Sequence, residues 1–329
     1  MSNIIAVVGA TGNQGSSVAN TFLSLPDWTV RCLTRSPSSP AALRLAAAGA
    51  HVVQADLDDV SSLERAFDGA AAVFSNTDFW APYIKALAQG VPQQQAVEMA
   101  RKTEVRQARN AAAAAAKQPS LKRFVYSALG PMDRASGGKY PHCGHWEAKA
   151  EAAEFMEREM PELQGKLSFF YPGAYHDNPI LYPQQYEGVE GYAMMLPGYE
   201  IDHIPVIRAS SRTGPCVRAL IEDEEPGVKL EAYDCLVTAQ EALDAWIKFT
   251  GKPARMMLVP YEEMHRITGI PYEVLDGPAF MGEFSFMDGV EGRVMQPRDL
   301  KKPLVEMSYM QMLEERGLEA VLATVPMTF

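Results

Sequence analysis

The sequence predicts an α/β fold in which a doubly wound parallel sheet is followed by a smaller C-terminal α+β lobe. Short apolar runs rich in β-branched residues alternate with helix-forming segments as far as Tyr171. The first run leads into three glycines, Gly9, Gly12 and Gly15, which have the spacing of a strand-to-helix turn. With 329 residues and 47% hydrophobic content, the chain can build a full core without disulfides.

The glycine turn lies between the strand that starts at Ile4 and a helical segment over 16–25. A dinucleotide pyrophosphate needs this order of strand, turn and helix. Gly9 permits a tight turn, Gly12 lets the backbone approach the phosphates, and Gly15 lets the helix pack against the strand. The phosphates would lie on free N–H groups at the positive end of the helix. A surface turn that merely contains glycines is the alternative, and the flanking strand and helix favour the dinucleotide.

The end of the second predicted strand, 29–35, indicates which dinucleotide fits. An acid there would bind the adenosine ribose hydroxyls of NAD, whereas an arginine accommodates the 2′-phosphate of NADP. This chain has Thr34, Arg35 and Ser36, and no acid. Arg35 offers a planar donor fork suited to phosphate, although an ordinary exposed arginine is the alternative. The sequence therefore predicts NADP(H) as cofactor.

Strands and helices continue to alternate after this point. Helices are predicted at 40–49, 58–67 (with Asp59 or Ser61 as cap), 93–117 and from Gly144 or His145, and strands at 51–55, 71–76, 121–127 and 167–171. This order predicts a Rossmann-type parallel sheet whose strand ends share one rim. The residues at these ends are therefore expected to line the crevice: Asp56, Leu57, Thr77, Asp78, Phe79, Trp80, Ser127, Pro172, Gly173, Ala174, Tyr175, His176 and Asn178.

Beyond Pro179 the pattern loosens into aromatic loops and short strands over 180–202. Further elements are predicted at 213–222 (helix), 228–232 (strand), 238–249 (helix with a Thr238–Glu241 capping box), 256–259 (strand), 261–268 (helix ended by Gly269) and 304–316 (helix). We therefore expect an NADP-binding Rossmann domain at 1–172, partly completed by 205–269. Residues 173–204 and 270–329 are expected to form the substrate lobe.

Composition excludes several function classes. The net charge of -11, without a Lys/Arg cluster, argues against direct nucleic-acid binding. No apolar run approaches the roughly 18 residues of a membrane span. The four cysteines, Cys32, Cys143, Cys216 and Cys235, lack C-x-x-C spacing, and the six histidines are scattered, so no metal site is expected. The chain enters its first strand without a leader, which favours a cytoplasmic protein with buried or free thiols.

The glycine turn, Gly9-Ala10-Thr11-Gly12-Asn13-Gln14-Gly15, resembles the GATGxQG motif of NmrA-like proteins, atypical members of the short-chain dehydrogenase/reductase superfamily. Further segments are similar to that family's motifs: Thr34-Arg35-Ser36, Ala55-Asp56-Leu57-Asp58-Asp59, Thr77-Asp78-Phe79-Trp80, His145-Trp146-Glu147-Ala148-Lys149, Pro172-Gly173-Ala174-Tyr175, Thr250-Gly251-Lys252 and Val259-Pro260-Tyr261-Glu262-Glu263. The resemblance extends to about Gly269. It is specific for the family and not for one activity.

The resemblance implies roles for the matching residues. The cofactor is expected to contact Gly9, Thr11, Gly12, Asn13, Gln14, Gly15, Thr34, Arg35, Ser36, Asp56, Leu57, Thr77, Asp78, Phe79, Lys149, Pro172, Gly173 and Ala174. The substrate is expected to contact Trp80, Tyr175, His176 and Asn178. Catalytic candidates are Lys149, His145 and Ser127.

Each catalytic candidate has an alternative interpretation. Lys149 could hold the nicotinamide ribose as a fixed ammonium, act as a general acid or base, or be a solvated lysine beside Glu147 and Glu151. His145 occupies the position, four residues before the lysine, where ordinary short-chain dehydrogenases have a proton-donating tyrosine. It could relay a proton or be a helix-start residue satisfied by backbone. Ser127 could orient substrate or cap the next turn.

Two functions from different classes follow from the resemblance. One is an NADPH-dependent reductase of a C=O, C=N or C=C bond in a hydrophobic small molecule. The other is a non-catalytic NADP(H) sensor that binds a protein partner, which could also place the protein in the nucleus. The oligomeric state is left open.

Overall fold

The computed structural model describes residues 2–324, so residues 325–329 of the predicted lobe lie outside the described residues. Its strands are β1 (Asn3–Val7), β2 (Trp28–Thr34), β3 (His51–Gln54), β4 (Ala72–Ser75), β5 (Arg123–Ser127), β6 (Leu167–Pro172), β7 (Ala174–Tyr175), β8 (Tyr192–Pro197), β9 (Ile204–Ile207), β10 (Lys229–Ala232), β11 (Cys235–Val237), β12 (Ala254–Val259) and β13 (Val294–Met295).

Its helices are α1 (Asn13–Leu23), α2 (Pro40–Ala47), α3 (Val60–Phe67), α4 (Trp80–Ala88), α5 (Gln93–Ala116), α6 (Met132–Ala135), α7 (Gly144–Glu159), α8 (Ala209–Arg218), α9 (Ala239–Thr250), α10 (Tyr261–Thr268), α11 (Tyr272–Met281), α12 (Tyr309–Arg316) and α13 (Leu318–Leu322). Within residues 2–324, no helix combines the length and apolarity needed to cross a membrane.

The predicted doubly wound parallel sheet is confirmed. Eight parallel strands lie in the order β13-β10-β6-β5-β4-β1-β2-β3. The order reverses between β1 and β4, so the crevice where ligands bind in such sheets opens at their carboxyl ends. One face carries an apolar core shared with α1, α2 and α8, and the other a core shared with α3, α5 and α7. The sheet therefore presents both the glycine turn after β1 and the start of α7 at one rim.

The remaining strands form two small sheets. β11, β9 and β7 make one, and β8 pairs in parallel with β12 in the other. A separate apolar cluster joins β8, β9, α9 and α12. The predicted domain boundaries stay a prediction. The eight-stranded sheet nevertheless includes β13, which lies within residues 270–329 of the predicted substrate lobe.

The structure contains four helices that the sequence pattern did not indicate, namely α4, α6, α11 and α13. At the fourth strand end, for which no helix is predicted, Asp78 Oδ1 accepts the N–H groups of Trp80 and Ala81 and so starts α4. Helix α11 is buried nearly all round and contains Pro278, so it shows no amphipathic stripe. The predicted C-terminal helix was wrong at its start: Ser308 caps α12, and 304–307 are not helical.

Candidate functional site

The glycine turn has the local geometry that its spacing predicts. Gly9 has a φ of 70°, and a Cβ on Gly15 would lie 2.2 Å from the Gly9 carbonyl oxygen. The first turn of α1 bonds back from Ser16 N–H to Gly12 O at 2.9 Å. The N–H groups of Asn13 to Gly15 therefore precede the helical ladder and point out of its positive end. This cradle suits a pyrophosphate.

The turn is tied directly to β7, the short strand that follows β6. The amide of the buried Gln14 donates to the Tyr175 hydroxyl at 2.8 Å. Burial raises the pKa of the Tyr175 phenol, so the hydroxyl stays protonated. A predicted cofactor residue and a predicted substrate residue thus meet across the crevice.

The end of β2 presents Arg35 and Ser36 to solvent, with Thr34 Oγ1 accepting the Ser36 N–H at 3.1 Å. The nearby Asp58 is bound by Arg106 at 2.8 Å. Burial opposes its charge, but hydrogen bonds from Gln107 and Arg106 and the charges of Arg106 and Arg35 hold the pKa of Asp58 below its usual range. Because Asp58 already has Arg106 as partner, the guanidinium of Arg35 keeps donors for another anion.

The side chain of Lys149 is largely removed from solvent and faces acceptors, so its interpretation as a solvated lysine is wrong. Its Nζ lies 3.0 Å from Glu104 Oε1, 3.1 Å from the Thr77 carbonyl oxygen, and 3.3 Å from both Thr77 Oγ1 and Asn76 Oδ1. The Lys149 side chain is 12% exposed and that of Glu104 is 0% exposed. The Lys149 Nζ is thus surrounded by one buried carboxylate and three neutral acceptors. This geometry suits a fixed positive charge better than a proton donor.

Glu104 was not among the predicted site residues. It also accepts the Thr77 hydroxyl at 2.7 Å, and Thr77 in turn lies 3.2 Å from the Tyr126 hydroxyl. Burial and the charge of Glu104 raise the pKa of Tyr126, so that phenol remains neutral. A sequence signal existed: Glu104 continues a four-residue spacing of fully buried small residues on α5, namely Ala96, Ala100, Ala108 and Ala112.

His145 begins α7 together with Gly144 and is held by Glu273 of α11. Its Nδ1 lies 2.6 Å from Glu273 Oε1, which also accepts the His145 backbone N–H at 3.0 Å. Glu273 Oε2 accepts the Gly144 N–H at 2.7 Å. The imidazole is therefore satisfied by a side chain and not by backbone. No local pattern around position 273 indicated this contact.

Cys143, His145 and Glu273 place potential metal-ligand atoms within 4.8 Å of one another. Both Glu273 oxygens already accept N–H groups, and a cation there would face the positive end of α7. Burial, together with the charges of Glu273 and Asp276, raises the pKa of Cys143 well above its usual range, which opposes the thiolate that a metal needs. We interpret the group as a hydrogen-bonded helix cap.

The fourth strand end supplies the aromatic wall of this region. Phe79 is buried, and Trp80 begins α4. Their ring centroids lie 5.9 Å and 5.0 Å from the His145 ring. Thr77 binds Lys149 and Glu104, while Asp78 starts α4. The predicted residues Thr77 to Trp80 therefore lie beside His145 and Lys149 of α7.

Other predicted residues lie at this rim with different environments. The Ser127 hydroxyl is fully buried and has no hydrogen-bond partner among residues 2–324, so it does not cap the next turn. Burial and the charges of Arg316 and Arg208 lower the pKa of His176 despite Asp177. Asn178 Oδ1 accepts the Ile180 N–H at 3.2 Å. The amide oxygen of Asn178 is thus occupied by a structural bond.

The Pro172–Ala174 segment turns tightly against the second sheet. The Gly173 N–H donates to Ala232 O at 3.0 Å, and a Cβ on Gly173 would lie 2.3 Å from Pro205 O. Ala174 borders an apolar cavity, which is lined by Ile180, Leu181, Met194, Ile204 and Met281 among others.

At the third strand end, Asp56 Oδ1 accepts the Asp58 N–H, and Leu57 O accepts from the Asn110 amide.

Comparison with known proteins gives a consistent picture. The model of the NmrA-like family matches residues 1–295. The NmrA-like family domain-containing oxidoreductases FrzB from Cladobotryum sp and hkm9 from Aspergillus hancockii are 51% and 49% identical over 76 and 73 residues. These matches span 23% and 22% of this chain and the same shares of the relatives, so the chain is matched to less than a quarter of each curated relative.

Solved structures share the fold over most of the chain. Isoflavone reductase has a TM-score of 0.69 at 14% identity, covering 96% of this chain and 99% of that one. The NADPH-dependent quinone oxidoreductase QOR2 from Escherichia coli, complexed with NADPH, has a TM-score of 0.67 at 19% identity, covering 94% and 99%. NmrA, described as a negative transcriptional regulator, in complex with NADP, has a TM-score of 0.61 at 18% identity, covering 98% and 95%.

Proposed function

Because the chain belongs to the NmrA-like family, we propose that it is an NADP(H)-dependent reductase acting on a C=O, C=N or C=C bond of a hydrophobic small molecule. The observation that carries the proposal is the placement of Lys149 and His145 one turn apart at the rim, each paired with a buried acid. Similar proteins named oxidoreductases, and NADPH- or NADP-bound structures of similar fold, support it.

The glycine turn would hold the pyrophosphate, and Arg35 would bind the 2′-phosphate through charge-assisted hydrogen bonds. Bound NADPH supplies the hydride. Tyr175 and Gln14 would close the crevice beside it. Trp80, His176 and Asn178 remain candidates for substrate contacts.

Lys149 acts in this proposal as a fixed ammonium. Four acceptors lie within 3.3 Å of its Nζ, whereas an ammonium has three donors. Contact with a ribose hydroxyl would therefore replace one of these acceptors and leave the Glu104 ion pair intact. Proton transfer falls to His145, because an imidazole can both donate and accept a proton.

The test is NADPH oxidation against a panel of ketones, cyclic imines and activated alkenes. We expect turnover with at least one class, and a loss of about 100-fold in kcat/KM for Lys149→Ala, because misplacing a reactant costs this much. Lys117→Ala, an exposed lysine paired with Glu64, is the matched control and should retain full activity. Absence of turnover across the panel would refute the reductase.

A second candidate is an NADP(H)-sensing regulator located in the cytoplasm or the nucleus. The observation that favours it is His145 in the position where short-chain dehydrogenases have tyrosine. Such a sensor requires that cofactor and protein partner change each other's affinity by the same factor. Calorimetry of partner binding with and without NADP(H) measures this factor, and equal affinities would exclude the sensor.

A further inference from the structure

Helix α11 places two buried acids on the turn that begins α7. Glu273 accepts the N–H groups of Gly144 and His145, and Asp276 Oδ2 accepts the His142 N–H at 2.6 Å. Asp276 is also bound by the Tyr261 hydroxyl. The two carboxylates are three residues apart on one helix face, yet only Glu273 reaches the His145 ring at short range.

The Glu273 contact selects one form of the imidazole. A carboxylate can only accept hydrogen bonds, so at 2.6 Å the His145 Nδ1 must carry the proton. The other ring nitrogen, Nε2, is then the one available to exchange a proton.

The other groups around His145 do not compete with this effect. Cys143 Sγ lies 3.4 Å from Nδ1 and 3.9 Å from Nε2, and burial raises the pKa of that thiol, so it carries no charge. Phe79 and Trp80 face the ring as uncharged aromatics. Glu147, on the same helix, is bound to the Asp133 N–H, and Lys149 to Glu104. Asp276 is bound by His142 and Tyr261.

We propose that Glu273 is a positioning residue that fixes His145 with its proton on Nδ1, so that His145 delivers a proton from Nε2. In the reduction of a C=O or C=N bond, hydride adds to carbon and the π electrons move to the heteroatom. That atom takes the Nε2 proton, and the imidazolium becomes neutral and regains a proton from water. This role rests on the proposed reductase, but the state of the His145 ring can be measured without turnover.

The experiment is a ¹⁵N NMR pH titration of the imidazoles, with His145 assigned by comparison with His145→Gln. In the wild type, neutral His145 should carry its proton on Nδ1. In Glu273→Gln, we expect the ring to lose its charge at a pH about 1 to 2 units lower, because an opposite charge is removed. Asp276→Asn is the matched control, since it removes a buried carboxylate from the same helix without touching the His145 ring.

A neutral His145 ring protonated on Nε2 in the wild type would overturn the proposal without any variant. An unchanged midpoint in Glu273→Gln, or an equal shift in Asp276→Asn, would also overturn it. Glu273→Asp keeps the negative charge, so the midpoint of its His145 titration should lie close to that of the wild type. If no substrate of the panel is reduced, the reductase fails while these measurements still decide the role of Glu273.

Where a substrate is found, the pH profile gives a second readout. The alkaline limb of kcat should move to lower pH in Glu273→Gln and stay in place in Asp276→Asn, while the affinity for NADPH stays within twofold. A uniform loss of activity at all pH values, with no movement of the limb, would assign Glu273 a purely structural role.

Discussion

Lys149 and His145 lie one turn apart on α7, yet their acidic partners come from different parts of the molecule. Lys149 is paired with Glu104 on α5, the neighbouring helix of the sheet. His145 is paired with Glu273 on α11, 128 residues further along the chain. The position of the Lys149 ammonium is determined by the sheet and the helices that cover it, whereas the position of the His145 imidazole depends on a later helix. Changes in that later helix can therefore alter the contacts of His145 while those of Lys149 are preserved.

The largest effect is expected on the Lys149 side of the comparison. Lys149→Met leaves the fully buried Glu104 without its cation, so the free energy of unfolding should fall by about 3–5 kcal/mol. Adding Glu104→Leu removes the uncompensated charge and should recover most of this loss. Urea unfolding at neutral pH measures both variants. Equal stabilities of the single and double variants would show that the pair is not coupled.

On the His145 side the effect on stability should be smaller. Glu273→Ala removes the acceptor of two backbone N–H groups at the start of α7, which should cost about 1.5–3 kcal/mol. Unfolding by urea, with hydrogen exchange of the Gly144 and His145 amides, checks this. The expected difference between the Lys149–Glu104 and His145–Glu273 pairs is contradicted by either of two results. One is a fall in the free energy of unfolding as large as that of Lys149→Met, and the other is unchanged protection of the two amides.

The affinity for the cofactor should depend on residues at the strand ends of the large sheet, and not on Glu273. Arg35→Asp replaces a charge-assisted phosphate contact with repulsion and should weaken NADPH binding about 10- to 100-fold, with little effect on NADH. Arg44→Asp, an exposed arginine on α2, controls for net charge. Fluorescence titration of the wild type and both variants measures their dissociation constants for NADPH and for NADH. If Arg35→Asp binds NADPH as tightly as the wild type does, a residue other than Arg35 binds the 2′-phosphate.

The smallest effect concerns pH. Burial raises the pKa of Asp276 above its ordinary value of 3.8, although Tyr261 and His142 partly oppose the shift. An acid with a raised pKa in the folded state favours folding while protonated, and this contribution is lost as the pH rises through that pKa. Stability of the wild type relative to Asp276→Asn should therefore decline as the pH rises above 3.8. A constant difference between the two proteins would contradict a raised pKa.

The sequence predicted those features that depend on neighbours along the chain. The strand–turn–helix around Gly9 and Gly15 is local, and so are the Thr238–Glu241 capping box and the Asp59 cap of α3, which the structure confirms. Lys149 was found through its motif. Its environment was not found, because that environment depends on how α5 and α7 pack together.

Glu273 shows the limit more sharply. Its helix is buried nearly all round and contains Pro278, so neither periodicity nor a polar face indicates it. The contact with His145 spans 128 residues, and nothing near either residue in the sequence encodes it. Ser127 was placed correctly at a strand end, but a period-two strand pattern does not reveal whether its hydroxyl has a partner.

The alanine spacing of α5 also limits how this protein can change in length. Ala96, Ala100 and Ala108 bracket Glu104 on the buried face of the helix. Each residue of a helix rotates the next by about 100°, so deleting one residue ahead of Glu104 would turn the acid away from Lys149. The same deletion would bring a different side chain into the alanine row. Insertions and deletions in the first half of α5 should therefore be far less tolerated than substitutions on its exposed face.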